Sequence, residues 1–65
     1  MYKYRILYNG YGANNVIYRE QEISLELRHD WSRNDDEAAK VMFLVHKKIK
    51  EHFSRFEILV VEKIN

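Results

Sequence analysis

The residues whose types could do chemistry fall into a few groups, and in each the spacing decides against catalysis. Gly10-Tyr11-Gly12 has glycines through which a backbone can approach phosphate. The dinucleotide fingerprint, however, needs a third glycine three residues after the second and a helix directly behind it. Asn15 stands at that position and a strand-like run follows, so the glycines read as a hairpin connection. His46 and His52 would sit about 240° apart on a helix, whereas two metal ligands on one face need a spacing of about three or four residues. His29 lies in another element, and no metal or cofactor site is expected. Asp35, Asp36 and Glu37 are neighbours on a helix and point to different sides. An acidic first turn is what the positive end of a helix dipole favours, so they are read as electrostatics and not as an acid–base pair. With no cysteine, and no serine in a nucleophile's context, covalent catalysis has no support. The chain is read as a non-enzyme with no catalytic residues.

Binding is the next class of chemistry. Tyr2, Tyr4, Tyr8 and Tyr11 with Lys3 and Arg5 have the types that stack bases and hold phosphates, and Lys47, Lys48 and Lys50 add positive charge. Tyr4, Arg5, Tyr8, Tyr11, Lys47 and Lys50 are therefore the ligand-binding candidates if the partner is nucleic acid, a nucleotide or another small ligand. Against this, strand alternation turns Lys3 and Arg5 away from the tyrosines, and Glu20, Glu22 and Glu26 would repel phosphate. The alternative assignment packs the tyrosines on a half-buried sheet with their hydroxyls reaching water.

The elements that would position these residues centre on Asn34 to Phe56, read as a helix. Asn34 can cap it, and Glu37, three residues on, can reach back to complete a capping box. Acidic residues open it, and Lys47, Lys48, Lys50 and Arg55 close it, matching the dipole. Ala38, Val41, Met42, Val45, Ile49 and Phe53 fall on one stripe, prolonged by Phe56. The unbroken apolar run Val41 to Val45 cannot fit in that stripe and leaves Phe43 and Leu44 on its flanks.

Before the helix, Tyr2 to Tyr8 alternates as a strand, and Asn9 to Asn15 reads as its hairpin connection. Val16 to His29 continues the period of two, with Ile17, Ile23, Leu25 and Leu27 on one face and Tyr18, Glu20, Glu22, Ser24, Glu26 and Arg28 on the other. Arg19 to Glu22 has weak strand propensity, which predicts a bend, bulge or split there. After the helix, Ile58-Leu59-Val60-Val61 is apolar at every position, which suits a central strand covered on both faces. The right-handed crossover rule sets that strand beside the first, giving order 2-1-3.

The expected fold is a single α+β domain over residues 1–65, of ββαβ type, with a three-stranded, mainly antiparallel sheet on one amphipathic helix. So short a chain is near the limit at which one core offsets chain entropy, and without cysteines no disulfide can help. A helix covers only one face of such a sheet. These two arguments predict self-association, as a homodimer or higher oligomer, and binding of another protein, through Trp31, Phe43, Leu44, Leu59 and Val61. Trp31 has an equal claim as a seal on the open end of the core. Eleven basic residues against ten acidic give a net charge of +1, far from the excess of a dedicated nucleic-acid or membrane binder. No run approaches the ~18 apolar residues of a membrane span. The expectation is a cytoplasmic, non-catalytic interaction or regulatory protein of accessory or inhibitor type.

Overall fold

The computed structural model describes residues 1–64. Strand β1 (Tyr2–Tyr11) leads through a short 3-10 turn at Ala13–Asn15 into β2 (Ile17–Leu27), followed by helix α1 (Asp35–Lys50) and β3 (Arg55–Lys63). The sheet order is β2-β1-β3, with β1 antiparallel to both neighbours. The two outer strands therefore run parallel to each other, and α1 is the crossover between them. This is the expected ββαβ arrangement.

The helix starts where its cap chemistry says it should. The Asn34 side chain accepts a 2.8 Å hydrogen bond from the Glu37 N–H, satisfying a donor that has no partner within the helix. The reciprocal half of the capping box does not form, because the Glu37 carboxylate is taken by His29 Nδ1 at 2.8 Å. The far end lies at Lys50, earlier than expected. Phe53 belongs to the following loop, and Phe56 continues the core from β3.

Val41, Val45 and Ile49 on α1 pack over Tyr4, Ile6 and Tyr8 on β1, and these six side chains are the buried core. Ile23, Leu25 and Leu27 flank them from β2, and Phe56, Ile58 and Val61 from β3. Each buried aliphatic side chain contributes about 1.5–3 kcal/mol. A domain this small has a net stability of roughly 3–10 kcal/mol at typical per-residue values, so no core position is dispensable.

Two bulges change which residues face the helix. In β2 the register runs Tyr8↔Gln21 and then Gly10↔Tyr18, so the strand takes an extra residue where weak propensity predicted one. Glu20 adopts φ 53° there, and its N–H donates to Asn9 Oδ1 at 2.9 Å. One extra residue exchanges the faces beyond it. Tyr18 comes to the helix side against Phe53, with ring centroids 5.3 Å apart, and Ile17 pairs with Tyr11 on the open side. Both are the reverse of simple alternation.

In β3 the partners are Tyr8↔Ile58 and Leu7↔Val60, leaving Leu59 as the extra residue. The strand lies at an edge of the sheet, not at the centre as its apolar run suggested. The bulge explains why: Ile58 and Val61 both face the core, while Leu59 and Val60 between them are 44% and 42% exposed.

In the hairpin, positive φ falls to Asn14 (59°) and Asn15 (61°) and to neither glycine. Gly10 is needed for close approach instead, since a Cβ there would stand 2.6 Å from the Phe53 ring.

Candidate functional site

The ligand-binding candidates do not form one site: Tyr8 and Tyr11 line a concavity beyond the helix C-terminus, Lys47 and Lys50 line a groove on α1, and Tyr4 and Arg5 belong to neither. Tyr4 and Tyr8 are 0% and 3% exposed, because their face of β1 is the one α1 covers. They cannot stack on bases, which overturns the tyrosine platform. Tyr4 O–H donates to the His29 carbonyl at 2.7 Å, and its oxygen accepts from the Trp31 N–H at 3.1 Å, so the hydroxyl is spent on the loop before α1. Arg5 lies on the opposite, open face. Glu22 holds it at 3.0 Å and Glu62 at 3.6 Å, and the Glu22 hydrogen bond, then the Glu62 charge, raise its pKa further. Tyr11 is at the far end of that face, under the Arg55 guanidinium at 6.0 Å. Lys47 and Lys50 are on α1.

The interface candidates also divide. Trp31 is half-buried, edge-on to Tyr4 with centroids 5.7 Å apart, so it seals the core. Val61 is opposite Ile6 and faces the helix, the bulge at Leu59 having separated these two residues onto different faces. Leu59 is exposed on the edge strand and Leu44 is half-buried on α1. Phe43 stands out at 67% exposed in the middle of the helix.

The remaining polar groups are absorbed locally. His46 Nδ1 donates to the Met42 carbonyl at 2.7 Å, and the ring lies against Phe56. Glu37 is held below the usual carboxylate range, chiefly by its hydrogen bond to His29. Asp30 Oδ1 accepts from the Ser32 hydroxyl at 2.6 Å, from the Ser32 N–H at 3.0 Å and from Lys63 Nζ at 3.0 Å. Led by the Ser32 hydroxyl, these bonds lower its pKa to about 2. They tie the loop before α1 to the end of β3. Beyond the helix C-terminus, Tyr8, Tyr18, Gln21, His52 and Phe53 line an open concavity of about 940 Å³. Its rings pack on one another, and among the described residues no buried side-chain polar atom lacks a partner.

That leaves the outer face of α1. Ala39, Lys40, Phe43, His46, Lys47 and Lys50 recur at spacings of three and four, opposite the buried stripe of Val41, Val45 and Ile49. A shallow groove of about 740 Å³ is lined by Ala39, Met42, Phe43, His46, Lys47 and Lys50. A second, of about 450 Å³, is lined by His29, Ala39, Lys40, Phe43 and Leu44. Phe43 and Ala39 belong to both. Phe43 and Leu44 were recognisable as surplus to the core stripe. Met42, expected on the core stripe, lines the outer groove instead, and Ala39 and His46 carry no mark in the sequence beyond their spacing of three and four from it. Comparison with protein-family models, with curated proteins and with solved structures finds no match.

Proposed function

We propose that the protein is a non-catalytic interaction module of accessory or inhibitor type, and that it docks another protein on the outer face of α1. The observation that carries this reading is Phe43, two-thirds exposed at the centre of an otherwise well-packed helix, between two apolar grooves. Its ring contributes little to the fold where it stands, whereas covering it with a partner is worth about 1.5–3 kcal/mol. Aromatic side chains of this kind are the usual anchors of protein interfaces. The proposal takes the module as cytoplasmic, with which the cysteine-free sequence is compatible. Among the described residues no helix is long and apolar enough to cross a membrane.

A photo-crosslinking side chain introduced at Phe43, and separately at Ser24 on the open sheet face, tests the reading in cells that make the protein. A discrete adduct from position 43 alone is the expected result. Equal adducts from both positions, or none from position 43, would sink it.

Self-association is the second reading, supported by Leu59 and Val60, exposed on an edge strand. A sedimentation coefficient that rises with concentration, and ceases to do so in Leu59→Lys, would establish it. Retention of that rise in Leu59→Lys would exclude β3 as the contact.

A further inference from the structure

We propose that the occupant of the α1 outer face is an acidic, amphipathic segment of a different protein, and not a second copy of this chain. The inference rests on the docking reading above and adds the partner's chemistry.

The argument is charge complementarity. The outer stripe carries Lys40, Lys47 and Lys50 around Phe43, with Asp36 as the one acid at its N-terminal end. Among the described residues Lys47 and Lys50 make no ion pair, and Lys40 has only a 3.9 Å approach to Glu37, which is already bonded to His29. Elsewhere Arg5 lies between Glu22 and Glu62, Lys48 reaches Glu51 and Lys63 meets Asp30, while Lys3, Arg19, Arg28, Arg33 and Arg55 line neither apolar groove. Among the described residues, the cations that line these apolar grooves are thus the three lysines of this stripe, and Lys47 and Lys50 have no acid of their own.

A second copy fits poorly. Two α1 helices meeting antiparallel about Phe43 would bring Lys40 of one close to Lys47 of the other, twice. Asp36 would meet Lys50, also twice, but three lysines against one aspartate leave each stripe net positive, so the two faces still repel. Like charges facing each other across an interface are destabilising. Nucleic acid would use the lysines but would leave Phe43, Met42 and Ala39 against phosphate and sugar. A segment with its own apolar stripe bordered by glutamate or aspartate satisfies both parts of the surface. Seated along the groove as a helix, it would present apolar residues at i, i+3, i+4 and i+7 to Phe43.

The probe is a synthetic helical peptide with leucines at those positions and glutamates beside them. Two variants accompany it, one with the glutamates changed to lysine and one with the leucines changed to alanine, together with a short single-stranded oligonucleotide. Titrations followed by amide chemical shifts report both affinity and location. The expected result is binding of the acidic amphipathic peptide, weakening with added salt, with shifts confined to the outer face of α1. Phe43→Ala should weaken it about tenfold or more, as for an interface anchor. Lys47→Glu with Lys50→Glu should abolish it and permit the lysine peptide to bind instead.

If the lysine peptide binds the native chain as tightly as the glutamate peptide, the acidic-partner inference fails while the docking surface stands. Loss of the Phe43→Ala effect, with any probe still bound, overturns the docking reading itself. Equal binding of the leucine-free peptide or the oligonucleotide makes the site a general polyanion surface and overturns the proposal. So does a folded chain that binds none of the probes. Phe43 and both lysines are exposed, and circular dichroism of each variant confirms that it is folded.

Discussion

The outer face of α1 and the open face of the sheet are the two broad surfaces the fold leaves to solvent, and they handle their charges in opposite ways. On the sheet, Lys3 and Arg5 on the central strand face acids on the outer ones, and Arg55 on β3 lies over Tyr11. Lys3 is in register with Glu26, Arg5 lies between Glu22 and Glu62, and Asn9 Nδ2 donates to Glu57. Cross-strand pairs of opposite charge stabilise a wet face without help from another subunit. Glutamates on both edge strands also discourage further strand pairing. On α1, Lys40, Lys47 and Lys50 surround an exposed phenylalanine, with Asp36 at the N-terminal end as the one acid on that stripe. The lesson is that exposed apolar area does not by itself mark an interface. The sheet face is internally matched, while the helix face needs a partner to be so.

The largest expected effect tests whether α1 truly has two unlike faces. Ile49→Ala empties a fully buried site and should cost about 2–5 kcal/mol, a large share of the domain's stability. Phe43→Ala, on the opposite face, should stay within about 0.5 kcal/mol, as surface changes usually do. Urea unfolding of both variants measures the gap. Comparable losses would mean that Phe43 belongs to the fold and that the helix has no free face.

The contrast in charge is broken next by reversal. Arg5→Glu sets a third carboxylate between Glu22 and Glu62 and should lower the melting temperature clearly, with the loss moderated by salt. Lys47→Glu removes a charge that no neighbour uses and should leave the melting temperature almost unchanged. Equal sensitivity at the two sites would remove the distinction between a matched and an unmatched surface.

How much of this was visible in the sequence depends on whether the cause was local. The Asn34 cap, the acidic first turn and the Val41-Val45-Ile49 stripe are set within a few residues and were readable, as was the surplus character of Phe43. The β2 bulge was partly readable, because Arg19 to Glu22 are poor strand formers. The β3 bulge was not: where every residue from Ile58 to Val61 is apolar, alternation carries no signal. Its register comes from pairing with β1, so the pattern puts Val61 on the wrong face and suggests cover on both faces, although the crossover rule sets β3 correctly beside β1. Tyrosine suits either a core or a wet sheet, and only the position of α1 decided that Tyr4 and Tyr8 are core. Glu37 was readable as a capping residue, but His29, brought near by the loop, outcompetes the local bond.

That loop gives a smaller, pH-dependent effect. Asp30 is ionised more easily in the folded state than unfolded, so its bonds to Ser32 and Lys63 stabilise the fold at neutral pH. The contribution fades as pH falls from the ordinary carboxylate range through about 2. Asp30→Asn should therefore melt below wild type at pH 7, and the two curves should converge as the solution is acidified towards that value. A constant difference across this range would mean that the loop is held by contacts other than the Asp30 charge.

The smallest effect expected is from deleting Leu59, and it bears on whether the sheet's exposed apolar residues are an interface at all. Leu59 alone in its stretch has no partner on β1, since Tyr8 pairs with Ile58 and Leu7 with Val60. Removing it leaves Ile58, Val60 and Val61 in regular order: towards the core, away from it, towards it again. The ladder closes without moving any core residue, so the variant should fold with a melting temperature near that of wild type. Deleting Leu7 from the unbulged central strand is the control. It would turn every residue on one side of the gap to the opposite face and should abolish the folded spectrum. If Leu59 is only a register device, the deletion also leaves binding at α1 unchanged. A folded deletion variant that no longer binds would instead tie the edge strand to the same interface and make the two faces one surface.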